Sequence, residues 1–82
     1  MCKPEKIIGA VLEELSGCFS DDTEANVKGL LSSGEPGVGL EVLCSQLVEF
    51  DIPVSANVKE QLKLVARVME MDIEELDELK VV

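Results

Sequence analysis

Apolar residues in this chain recur at three- and four-residue spacing in segment after segment, and no strand signal matches that pattern in strength. That period fits the face of an amphipathic helix and not a half-buried strand. Ile7, Ile8, Val11, Leu12, Leu15, Cys18 and Phe19 make one such stripe, so a helix is expected over about 4–19, with Pro4 in its first turn. Proline suits that position because the N–H it lacks would have had no partner there. Gly17 weakens the last turn. Ser20-Asp21-Asp22-Thr23 reads as a second helix start, whose oxygens can accept the orphan N–H groups. That helix carries Val27, Leu30 and Leu31 inward and stops at Ser32-Ser33-Gly34.

A third helix is expected from about Glu35-Pro36 to Phe50, with Leu40, Leu43, Cys44, Leu47 and Phe50 on its inner side. Val38, Glu41, Val42, Ser45 and Glu49 fall on the other side. Two valines therefore sit between glutamates on a face that should meet water. Pro53 disfavours helix for Ile52, so residues 51–54 should be extended. Ser55 is placed to cap a fourth helix over about 56–70, with Val58, Leu62, Val65 and Met69 inward. Lys59, Lys63 and Arg67 lie opposite at i, i+4 and i+8, a patch for an acidic partner or, in the simpler reading, cations that compensate the acids at 70–78 or are merely solvated. Asp72 is placed to cap a short last helix carrying Ile73, Leu76 and Leu79. Ile52–Val54 and Val81-Val82 are the only β-like scraps. The expected fold is all-α: a small bundle or orthogonal array of four to five amphipathic helices in a single domain, residues 1–82.

Eighty-two residues give one domain, which should expose roughly 4,800 Å² when folded. The apolar content of 46% supports a core even at net charge −10. Seventeen acids against seven bases repel nucleic acid and anionic membranes, and attract a strongly basic partner. With two Phe and no Trp or Tyr, there is no platform for base stacking.

The absence of His removes the commonest general base, and no catalytic constellation can be assembled. Adjacent acids such as Glu13-Glu14 and Glu74-Glu75 point about 100° apart on a helix and make no carboxylate dyad. Cys2, Cys18 and Cys44 include no Cys-x-x-Cys pair, so neither a zinc site nor a disulfide framework is expected. Three free thiols suit a reducing cytosol. No secretory signal is visible, and no apolar run approaches the ~20 residues of a membrane span.

Gly34-Glu-Pro-Gly37-Val-Gly39 follows no strand and lacks the Lys-Ser/Thr of a phosphate loop. Asp22-x-Glu24-x-Asn26 begins like a calcium loop but has Val27 at the sixth position and Ser33 at the twelfth. Size and acidity are similar to those of acyl carrier proteins, yet no serine stands between Asp and Leu. The reading is therefore of a protein that is not an enzyme, has no cofactor or small-molecule substrate, and acts by binding another protein. An apolar patch rimmed by charge is the usual anatomy of such an interface.

The stretch 34–54 resembles the signature of the MafI-type family of small bacterial immunity proteins. The residues that carry the likeness are Gly34, Glu35, Gly39, Leu40, Glu41, Leu43, Cys44, Leu47, Glu49, Asp51 and Pro53. Gly39 stands where Ala is expected, and Val48 where an aromatic is commoner. The resemblance implies neutralisation of a cognate toxin from a contact-dependent inhibition or related system. Family members are associated with ribonucleases, including the EndoU type, and such toxins are basic because they bind RNA phosphates. The expected toxin-binding residues are Glu35, Val38, Glu41, Val42, Ser45, Glu49 and Asp51. The acids at 21–24 and at 70–78 are further candidate surfaces. The alternatives are an acidic helical adaptor that self-associates, or an acyl-carrier-like protein.

Overall fold

A computed structural model describes residues 3–19 and 22–82, and those residues form five helices in one all-α globule. They are α1 (Pro4–Glu14), α2 (Thr23–Ser32), α3 (Pro36–Glu49), α4 (Ala56–Val68) and α5 (Glu75–Glu78). The accessible surface is 4922 Å², close to the value expected from chain length. Ile8, Val11, Leu12, Val27, Leu40, Leu43, Leu47, Val58, Leu62 and Val65 make the centre of a single core.

Contacts close a ring in the order α1, α2, α3, α5, α4, and α1 packs on α4 although they are distant in sequence. Packing is most extensive between α2 and α3, and α3 touches every other helix. That central place follows from composition. Gly39, Leu40, Leu43, Cys44 and Leu47 give α3 a wide buried side.

Three helices end in the same way. After α2, α3 and α4 the chain turns left-handed at Gly34 (φ 77°), Asp51 (φ 56°) and Glu70 (φ 55°). In each case two amides beyond the end reach back. Glu35 N–H donates to Leu30 O at 2.9 Å, Ile52 N–H to Leu47 O at 2.9 Å, and Met71 N–H to Ala66 O at 2.8 Å. The companion bonds are Gly34 to Leu31 at 3.2 Å, Asp51 to Val48 at 3.1 Å and Glu70 to Arg67 at 3.1 Å. This is the Schellman pattern, which satisfies the last carbonyls of a helix.

Local expectations need several corrections. The first helix stops at Glu14 and continues only as a turn through Gly17 (φ 85°), so Cys18 is exposed rather than part of the stripe. Phe50 is 44% exposed, because α3 ends one residue before it and the left-handed Asp51 turns the chain away. Asp51 is accordingly not extended, whereas Val54 is, and Val54 forms an isolated parallel bridge with Val81. The two β-like scraps thus find each other. Ser55 does cap α4, its Oγ accepting from Val58 N–H at 3.1 Å. Asp72 caps nothing, since α5 begins only at Glu75. Asp22 makes no side-chain cap to α2, and Ser20 and Asp21 lie outside the described residues. Glu24 sits inside α2 and pairs with Lys28 at 3.2 Å, an i, i+4 helix pair and not a loop ligand.

Candidate functional site: the open face of α3

The buried side of α3 leaves a strip from Val38 to Glu49, about 16 Å long at the helical rise. Its two borders are defined by contacts. On one side α2 packs against Gly39. A methyl group placed there would lie 3.5 Å from Leu31 Cδ2, and 3.7 Å from both Leu30 Cβ and Val27 Cγ1. On the other side the α4–α5 connection brings Met71 against Gly37, and α5 brings Glu75 to Ser45.

Within the strip the expected residues divide. Val38 is 48% exposed, and Glu41 and Glu49 are exposed. Val42 is half-buried and packs against the core, so of the two valines only Val38 is openly exposed. Ser45 is also half-buried, and its hydroxyl donates to Glu75 Oε2 at 3.4 Å. Glu35 is exposed just before α3 and makes no side-chain cap bond. Glu35, Glu41 and Glu49 have no ion-pair partner among the described residues, whereas Asp51 Oδ1 meets Lys80 Nζ at 2.8 Å. Of the expected acidic residues, Asp51 alone is thus already engaged by a cation of the described chain.

Two residues that the helical wheel does not mark border this strip. Phe50 adds exposed apolar surface beside Glu49, and Met71 flanks the start of α3. A helix ending at Glu49 would have exposed Phe50 in advance, but no sequence signal puts Met71 against Gly37.

The cationic stripe of α4 is partly bonded and partly solvated. Lys59 Nζ donates to Leu79 O at 3.1 Å. Lys63 and Arg67 share an open groove of about 330 Å³ with Asp72 and Asp77, over Met71, Ile73 and Leu76. Neither makes an ion pair among the described residues. The groove brings together no nucleophile, base or metal-ligand set. Among the described residues no group of three or more Cys, Asp or Glu could hold a metal ion. Cys18 is a free exposed thiol and Cys44 a free buried one, while Cys2 lies outside the described residues. Burial, and secondarily the charge of Glu75, push the Cys44 thiol up to about 12 from its ordinary 9.0, the reverse of what activates a cysteine nucleophile. No described helix is long and apolar enough to cross a membrane.

No family model, curated protein or solved structure matches this chain.

Proposed function

We propose that this protein is an immunity protein that binds a basic bacterial toxin and neutralises it by covering its RNA-binding or active site. The favoured toxin is an EndoU-type ribonuclease, the class that the 34–54 resemblance implies. The observation that carries the reading is the strip on α3. Exposed Val38 shares that strip with Glu41 and Glu49 and follows Glu35, and no cation of the described chain pairs with these three acids. A net charge of −10 attracts a basic nuclease at long range, and the unpaired carboxylates meet its Lys and Arg side chains at contact. Val38, Val42 and Phe50 supply apolar surface for the interface centre. A close charge pair at such an interface can couple by about 1.5–7 kcal/mol, so one acid can dominate. Such an inhibitor acts in the cytosol, where exposed Cys18 stays reduced.

A second reading, a self-associating helical adaptor, draws on Leu64 and Val68, exposed one turn apart on α4. Titrating the protein into a basic EndoU-type ribonuclease domain encoded in the adjacent reading frame separates the two. Cleavage of RNA is followed at low salt and at ~150 mM, where the screening length is about 8 Å. Immunity predicts stoichiometric loss of cleavage that survives the higher salt and is weakened at least tenfold by Glu41→Lys or Glu49→Lys. Undiminished cleavage at both salts, with a dimer forming in the absence of any partner, would establish the adaptor instead.

A further inference from the structure

The Asp51–Lys80 pair lies at the Phe50 end of the α3 strip, and its setting is unusual on this surface. Asp51 is held at the left-handed residue that closes α3. Lys80 is held from the other side, because its carbonyl accepts Val54 N–H at 2.8 Å. Two hydrogen-bonded backbone positions thus bring Lys80 and Asp51 near each other, and the ammonium meets the carboxylate at 2.8 Å. Both side chains remain 67% exposed, so the pair is open to exchange with another cation. The other ion pair among the described residues, Lys28–Glu24, is the ordinary helix kind. Asp51–Lys80 instead joins distant segments and neutralises one acid at an end of an otherwise unpaired acidic strip.

We infer that Lys80 occupies, in the free protein, the place that a guanidinium or ammonium group of the basic partner takes at Asp51 in the complex. The inference rests on the function proposed above. Lys80 is then a built-in competitor. The partner's cation must displace it, and the ammonium swings into solvent while the Lys80 backbone stays bonded to Val54. The exchange replaces one charge pair by another, so it selects for partners that deliver a cation at this end of the strip.

The test uses the full chain and the same EndoU-type ribonuclease domain. Lys80→Ala leaves the backbone bond to Val54 in place and frees Asp51. It should bind the nuclease two- to fivefold more tightly than the unsubstituted protein, the range expected for losing one exposed competing pair. Lys63→Ala makes the same change in net charge at a cation without a pair, and should change affinity by less. In an Asp51→Asn background the gain from Lys80→Ala should vanish. Equal effects of Lys80→Ala and Lys63→Ala would overturn the inference, as would a gain that persists in the Asp51→Asn background. A wild-type chain that leaves the nuclease active would instead overturn the proposed function itself, and this inference with it.

Discussion

Val54 and Val81 are joined as one parallel bridge: Val54 N–H donates to Lys80 O at 2.8 Å, and Val82 N–H to Val54 O at 3.0 Å. Val54 is 2% exposed, so the bridge draws the end of the described chain onto the core just before α4. Val82→Pro deletes one of the two donors without touching a buried side chain. It should cost about 1 kcal/mol, the net value of one such bond, seen as a lower urea midpoint with unchanged slope. An unchanged midpoint would mean that the bridge contributes nothing.

Glu70 occupies a left-handed position without being glycine. A side chain there costs roughly 1–2 kcal/mol relative to its preferred backbone region, while glycine carries no such cost. Glu70→Gly should therefore stabilise the protein by about 0.5–1 kcal/mol once the entropy lost from the unfolded chain is included. Gly34→Ala, at φ 77°, should destabilise by about 1 kcal/mol. Thermal melts of the two variants should move in opposite directions.

Gly39 is a helix-interior glycine with room for one methyl, since the nearest atoms would stand at 3.5–3.7 Å, ordinary van der Waals distance. Gly39→Ala should gain about 0.8–1 kcal/mol from helix propensity alone. This is the position where the resemblance leads one to expect Ala. A lower melting temperature would show that α2 cannot accept the methyl.

Cys44 gives the fold an alkaline limit. Its folded-state pKa is raised to about 12 while the unfolded thiol titrates near 9, so between these values the folded state binds more protons. Stability from this group is complete below about pH 9 and falls as pH rises toward 12, by roughly 1 kcal/mol at pH 10. Urea titrations of wild type and Cys44→Ala between pH 8 and pH 10.5 should converge as pH rises. Parallel curves would remove Cys44 as the cause. At pH 8 a thiol reagent should label exposed Cys18 and spare Cys44.

The sequence by itself determined an all-α pattern of four to five helices, the Ser55 cap of α4, the buried side of α3 up to Leu47 and the acidic field. These depend on spacing within a few residues or on summed charge, and both are local or additive. Ends were harder to read than interiors. Gly17 stopped α1 a full turn before its apolar stripe ran out, and Asp51 turned Phe50 outward. Only the tertiary structure decided how much of the α3 face stays open. Val42 and Ser45 look as exposed on a helical wheel as Val38, yet Val42 packs against the core and Glu75 takes the Ser45 hydroxyl. Asp51 looks as available as Glu49, yet Lys80 meets it. In each case the deciding neighbour is remote in sequence, and helical periodicity says which way a side chain points, not what stands in front of it.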